Sequence, residues 1–277
     1  MKFDTELVGK IGSMALIRKE EHDIDYNVFS RIGRELRPGV IWVTSGAVEI
    51  GRLDYIKRTG RELTGAKSDV MTDYSAQGQA ILMEEYRRYI PSKYSLRQLL
   101  VEHTHFNDAE KREHIFHFLM RCVEQEAIPI INYNDTVSFE ENRRWELEQL
   151  RSRFSGQSRI VECIDNDETA SVISTLVHPR YLLLFTSVDG IYLDPKDPST
   201  LVGCVEGKDA DEVIQSIDEL QKHCFGASRS GAGGAKAKLE FIKEPIRQGT
   251  TVIIANSQYS ISDVIAGDCP RTIFQIR

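Results

Sequence analysis

Val40-Ile-Trp-Val-Thr-Ser-Gly-Ala47 carries four consecutive β-branched or aromatic residues straight into a threonine, a serine and a glycine. The same order recurs twice. Ile128-Pro-Ile-Ile131 ends in Asn132-Tyr133-Asn134-Asp135, and Tyr181–Phe185 ends in Thr186-Ser187-Val188-Asp189-Gly190. Strands apolar on both faces belong in a parallel sheet covered by helices, and polar loops at their carboxyl ends line a ligand crevice. Helical patterns fill the intervals at Tyr26–Leu36, Val70–Tyr89, Asp108–Glu126, Ala170–Val177, Ala210–His223 and Ala235–Arg247. Further strands are expected at Leu7–Ile11, Ser95–Val101, Thr251–Ile254 and Arg271–Ile276. Repeated β-then-α predicts one α/β domain over residues 1–277, an open αβα sandwich about a mainly parallel sheet.

The most polar junction in the chain is Asp165-Asn166-Asp167, two carboxylates and an amide directly ahead of the apolar run Ala170–Val177. Such a cluster suits a cationic or amine-bearing partner. Two glycine-rich stretches add anion-handling chemistry. Gly9-Lys10-Ile11-Gly12-Ser13 places a lysine beside a glycine turn, and Gly231-Ala-Gly-Gly-Ala-Lys-Ala-Lys238 opens a helix whose N–H groups and dipole favour a phosphate. Together with the acidic junction they describe a phosphoryl-transfer site.

About thirty residues separate Asp135 from Asp165 without a strand pattern, longer than usual for a compact domain, so an insertion is expected around 138–163. Its centre, Glu140–Phe154, is dense in Glu and Arg and puts Leu147, Leu150 and Phe154 on one helical stripe. A solvated surface helix is the simpler reading, and a lid over the site is the alternative.

The formal net charge of -7, with dispersed basic residues, argues against a nucleic-acid partner. The five cysteines form no C-x-x-C pair, and no apolar run reaches membrane length. A soluble cytoplasmic protein with reduced thiols is expected, assembled as a homo-oligomer. His103/His105 and His114/His117 lack an evident third ligand, so no metal site is assigned. Gly60-Arg-Glu-Leu-Thr-Gly-Ala-Lys-Ser68 resembles a P-loop but has an extra alanine and no strand ahead of it.

Six segments in order resemble the amino acid kinase superfamily, and within it the glutamate 5-kinases. They are Lys10-Ile-Gly-Ser13, Val43-Thr-Ser-Gly-Ala-Val48, Ile128–Asp135, Asp165-Asn-Asp167, Val188-Asp-Gly-Ile-Tyr192 and Gly231–Lys238. The resemblance spans nearly the whole chain. It implies the amino acid kinase fold, ATP as co-substrate with Mg²⁺ accompanying the nucleotide, and L-glutamate as phosphoryl acceptor in proline biosynthesis. It further implies that Lys10 and Lys238 bridge the transferring phosphoryl group while Asp167 orients both. Ser45, Gly46, Ala47, Asp135 and Asn166 would hold the amino acid. Lys10, Gly12, Ser13, Thr186, Ser187, Ala232, Gly233, Gly234, Ala235, Lys236, Ala237 and Lys238 would border the nucleotide. The RNA-binding-type PUA domain of many bacterial members is expected to be absent, since the chain stops just after its last strand.

Several positions depart from the family pattern. Ile164 stands where glycine is usual, Glu168-Thr169 replaces a small or amide residue and leucine, Ser187 replaces aspartate, and the glycine loop and the tail at Arg271-Thr-Ile-Phe274 also differ. The two lysines and the acidic cluster persist, which implies intact kinase chemistry. Two alternatives stand beside it: a sister kinase acting on another small carboxylate or phosphate, and a non-catalytic metabolite-binding regulator.

Overall fold

A computed structural model of the chain describes residues 3–138, 140–153, 160–163, 165–223 and 234–277. In chain order the elements are β1 Thr5–Ile11, β2 Ile17–Arg18, β3 Asp23–Ile24, α1 Tyr26–Glu35, β4 Val40–Thr44, α2 Ala47–Thr59 and α3 Lys67–Tyr89. There follow β5 Ser95–Val101, α4 His103–Asn107, α5 Ala109–Glu124, β6 Ala127–Tyr133, α6 Glu140–Arg153, α7 Asn166–Val177 and β7 Pro179–Thr186. The last third holds β8 Cys204–Gly207, α8 Ala210–His223, α9 Gly234–Phe241, α10 Lys243–Arg247, β9 Thr251–Asn256, α11 Ile261–Ala266 and β10 Arg271–Ile276.

The main sheet has the order β5-β6-β4-β1-β7-β9-β10-β8. Strands β5 through β9 in that order run parallel, and β10 pairs antiparallel with β9 and parallel with β8. The chain leaves β1 toward β4 and later returns to its other flank at β7, so strand order reverses at β1. That is where an open α/β sheet presents its ligand crevice. Alternation along the strands divides the core between two faces. On β4, Ile41 and Val43 join the core under α5, α7 and α8, while Val40 and Trp42 join the core under α1 and α3. Burial on both faces is what the uninterrupted apolar runs require.

The structure corrects several boundaries. Helix α2 was not expected, because its sequence is only weakly amphipathic. It forms by packing tightly on α3: a Cβ at Gly51 would lie 1.8 Å from Tyr74 O, and one at Gly78 would lie 1.8 Å from Ala47 O. Strand β8 and the β2–β3 hairpin were also missed, being only four and two residues long. The expected helix Ala235–Arg247 divides into α9 and α10. Pro245 has no N–H to give the Phe241 carbonyl, which accepts the Ser171 hydroxyl instead. The expected helix from Asp108 does start there, with the Asp108 carboxylate accepting Lys111 N–H at 3.0 Å. His103 and His105 lie on the short helix α4, not on a strand end. Lys10 lies inside β1, so Gly12 alone begins the following turn.

The close helix crossing makes a stability prediction. Gly78→Ala should lower unfolding free energy by about 2 kcal/mol or more through forced separation of α2 and α3. Gly203→Ala, where a Cβ meets nothing within 4 Å, should change it by no more than about 0.5 kcal/mol. Parallel urea titrations of the two variants test the contrast.

Candidate active site

The carboxyl ends of β4, β1 and β6 converge on the amino end of α7. Asp165 is the N-cap of α7, its Oδ1 accepting Asp167 N–H at 2.9 Å and Glu168 N–H at 3.0 Å. The capped turn aims Asp167 back across the end of β1. There Lys10 Nζ lies 2.7 Å from Asp167 Oδ1, and Lys238 of α9 contacts the other oxygen, Oδ2. Asp167 and Lys10 are 9% and 8% exposed, so this is a desolvated cluster of two cations and one anion. Burial alone would raise the Asp167 carboxyl, but the charges and hydrogen bonds of Lys10 and Lys238 outweigh it and hold it well below the usual carboxylate range. Asp165 moves the other way, pushed up by burial and then by the Asp167 charge, against the opposing Glu168 N–H and the lysines.

Beside this triad lies a network of amides. Asn166 Nδ2 donates to Thr44 O at 2.9 Å, to Ser45 Oγ at 2.8 Å and to Asn132 Oδ1 at 3.1 Å. Asn132 Nδ2 in turn donates to Gln79 Oε1 at 2.9 Å. Asn166 Oδ1 is buried and meets no hydrogen-bond donor among the described residues. A buried acceptor of that kind fits an ammonium or hydroxyl from a ligand. Asn132 and Gln79 were not assigned from sequence. Asn132 lay in a strand-end loop, but Gln79 sits on α3 with no local mark of its reach.

The remaining expected residues lie next to the ends of β1, β4, β6 and β7 and in α9. A Cβ at Gly12 would lie 3.6 Å from Lys10 Nζ, so the turn after β1 abuts the ammonium group. Ser13 Oγ donates to Glu49 of α2 at 3.2 Å. Gly46 caps α2 at φ 107°, a left-handed conformation that favours glycine, and Ala47 is buried as the first residue of that helix. Asp135 is half-buried in the turn after β6. Thr186 ends β7, its Oγ1 bonded to both N and O of Val188, and Ser187 is exposed. Gly234 starts α9, Ala235 and Ala237 are half-buried, and Lys236 is exposed. Ala232, Gly233 and the departure Ile164 lie outside the described residues.

The segment between Asp135 and Asp165 contacts α4, β6 and the first turn of α7. Helix α6 buries Leu147 and leaves Trp145 exposed, while Phe154 lies outside the described residues. Glu146 Oε2 lies 3.1 Å from Nε2 of the buried His103. His103 Nδ1 is 3.4 Å from the Tyr133 hydroxyl, which bonds Ser138 Oγ at 2.7 Å. On the return arm, Arg151 pairs with Glu162, and Glu162 N–H reaches Glu168 Oε1 at 3.1 Å. Among the described residues no group of three His, Cys, Asp or Glu is placed to hold a metal, and no helix is long and apolar enough to cross a membrane.

The sequence matches the model of the amino acid kinase family over residues 6–256. It is similar to the glutamate 5-kinase of Alkaliphilus metalliredigens (strain QYMF), 28% identical over 98% of this chain and 95% of that one. It is also similar to glutamate 5-kinase 1 of Bacillus subtilis (strain 168), 27% identical over 94% of this chain and 66% of the relative. Among solved structures it is similar to a carbamate kinase from Giardia lamblia bound to AMP-PNP, with a TM-score of 0.60 at 12% identity over 99% of each chain. A UMP kinase from Ureaplasma parvum shares the fold with a TM-score of 0.55 at 14% identity, covering 99% of this chain and 100% of that one.

Asp167 leaves a pH signature. A depressed folded-state pKa stabilises fully above the unfolded value of about 3.9, and that stabilisation fades as pH falls from there toward the folded value. Asp167→Asn strands two buried ammonium groups and should cost about 3–5 kcal/mol at pH 7. Urea melts should show the gap to wild type constant between pH 5 and 7 and narrowing below about pH 4.

Proposed function

This chain belongs to the amino acid kinase family, and we propose that it transfers the terminal phosphoryl group of ATP to the γ-carboxylate of L-glutamate. The product is glutamyl 5-phosphate, and the reaction is the first step of proline biosynthesis. The observation that carries the reading is the Lys10–Asp167–Lys238 triad set against the Asn166–Ser45 network. A carboxylate oxygen attacks Pγ as the bond from Pγ to the β-phosphate bridging oxygen breaks, bringing several anions together. Lys10 and Lys238 offset that charge, and Asp167 keeps their ammonium groups in fixed directions. No general base is required, because glutamate is already ionised at pH 7. Asn166 Oδ1 and Asp135 suit the substrate ammonium, and the Ser45 hydroxyl and the amino end of α2 suit its α-carboxylate.

The nucleotide would lie along the Gly12–Ser13 turn, Thr186–Ser187 and the stretch 232–238. Mg²⁺ arriving with ATP would draw its ligands from phosphate oxygens and water. A cytoplasmic, homo-oligomeric enzyme is part of the same reading. The similarity to glutamate 5-kinases supports glutamate as acceptor; a different small carboxylate is the alternative, since the departures cluster at Glu168, Ser187 and the insertion.

Hydroxylamine trapping tests the reaction. The γ-glutamyl hydroxamate should form only with ATP, Mg²⁺ and glutamate all present; hydroxamate from another acid and none from glutamate overturns the assignment. Lys10→Ala and Lys238→Ala should each lower kcat by on the order of a hundredfold. Asp135→Ala should mainly raise KM for glutamate. Equal losses of kcat in all three, with KM unmoved, would show that Asp135 has another role.

We assign residues 138–163 to the same function, as a lid that shields the acyl phosphate from water. Support comes from the His103–Glu146 contact and its continuation through Tyr133 to Ser138, beside Asp135. Glu146→Gln should raise KM for glutamate roughly fivefold, the effect of a contact of about 1 kcal/mol, or uncouple ATP hydrolysis from hydroxamate formation. Unchanged kinetics and coupling would leave α6 as a solvated surface helix.

A further inference from the structure

A chain of side-chain hydrogen bonds runs from the core under α1 and α3 to the carboxyl end of β4. Trp42 Nε1–H donates to the Tyr86 hydroxyl at 2.9 Å, that hydroxyl lies 2.8 Å from Thr44 Oγ1, and Thr44 Oγ1 donates to Ser45 O at 3.1 Å. Trp42, Thr44 and Tyr86 are all fully buried. The indole finds its place because β1 carries a glycine beside it. Gly9 pairs with Trp42, and a Cβ there would run into the ring.

The ends of the chain fix its direction. An indole N–H only donates and a peptide carbonyl only accepts. The Thr44 proton goes to Ser45 O, so the Tyr86 proton goes to Thr44 Oγ1 and the Tyr86 oxygen accepts the indole. Burial pushes the Tyr86 phenol up from its ordinary value, against the opposing bonds to Thr44 and Trp42, so the hydroxyl stays a donor. At zero exposure no solvent can take the place of a lost partner.

The chain ends on a peptide of the candidate acceptor pocket. A trans peptide is planar, so a Ser45 carbonyl drawn toward Thr44 Oγ1 turns the N–H of the same unit, that of Gly46, the opposite way. Gly46, at φ 107°, caps α2 directly after. From α7, Asn166 Nδ2 bonds Thr44 O and Ser45 Oγ. The turn is therefore held by Asn166 on one side and by Tyr86 from the core.

We infer that Tyr86 is a positioning residue for the phosphoryl acceptor. Acting through Thr44, its hydroxyl sets the Ser45–Gly46 peptide in the orientation that receives the acceptor's α-carboxylate, without touching the substrate. This rests on the proposed transfer to an amino-acid carboxylate and adds to it a determinant on α3.

Steady-state kinetics of Tyr86→Phe test the inference, using whichever carboxylate the wild-type chain converts in the hydroxylamine trap. Phenylalanine keeps the ring and its edge contact with Phe29 at 5.0 Å. KM for the acceptor should rise about tenfold, while KM for ATP and kcat stay within about twofold. Thr44→Val should give the same rise, and the double variant no more than either single, since the two hydroxyls act in one chain. Phe29→Leu, which loosens the same core but leaves the chain whole, should lower the urea midpoint without moving the acceptor KM. An acceptor KM unchanged in Tyr86→Phe overturns the inference. So do equal rises in both KM values, additive effects in the double variant, or a Phe29→Leu that matches Tyr86→Phe. If Tyr86→Phe does not fold, Thr44→Val decides by the same split between acceptor and ATP. A wild-type chain that converts no carboxylate removes the proposed function and this inference together, whereas an active wild type with unmoved variants removes the inference alone.

Discussion

A single buried carboxylate, Asp167, governs this structure. It holds two ammonium groups that the chain brings from positions 10 and 238, one from the central strand and one from a helix near the far end. Burying either lysine alone would cost several kcal/mol in lost hydration. Burying both against one carboxylate leaves two ammonium groups held in place before any anion arrives. Such a site is what phosphoryl transfer needs, because its main cost is the crowding of negative oxygens. The fold serves this arrangement directly. Strand order reverses at β1, so its carboxyl end opens on a crevice, and the amino end of α7 points into the same space.

The strands and the acidic junction were legible because their physics is local. An apolar run ending in small polar residues reads as a buried parallel strand without knowledge of its neighbours, and Asp165-Asn166-Asp167 stands out as a polar cluster directly ahead of an apolar helix. The spans Ala210–His223 and Arg271–Ile276 needed nothing more. Helix α2 failed the same reading because its stability comes from backbone contact at Gly51 and Gly78, which leaves little apolar periodicity behind. The break between α9 and α10 was readable in principle from Pro245. Its consequence, a Phe241 carbonyl that takes the Ser171 hydroxyl, depends on a residue seventy positions away.

At the site, residue types marked the glycine-rich and acidic stretches and the family resemblance implied the triad, while Asn132 and Gln79 behind it stayed silent. Lys10, Asp167 and Lys238 sit in glycine-rich or acidic contexts that stand out in a sequence. Gln79 sits in mid-helix, and its bond to Asn132 exists only because α3 packs beside β6. His103 had looked like half of an incomplete metal pair. Its neighbours are instead Glu146 from the insertion and the Tyr133 hydroxyl, a pairing that joins the insertion to the loop carrying Asp135.

Glu168, one of the departures noted in sequence, meets the chain that returns from α6. Glu168 stands immediately after Asp167, where a small or amide residue was expected, and the insertion precedes it. The Glu168 carboxylate accepts the Glu162 N–H, so the residue that departs is also one that receives the returning arm of the insertion. The Val161 and Glu162 main chain, held by Asn107 and Glu168, walls a cavity on the outer face of α7. The helix therefore divides its labour by face. Asp167 turns toward the lysines, while one residue later Glu168 turns toward the insertion and the cavity, a rotation of about 100° at 3.6 residues per turn. A change at Glu168 would be felt first by the arm, and only through the helix by the phosphoryl site. That separation leaves the geometry of the triad independent of the returning arm.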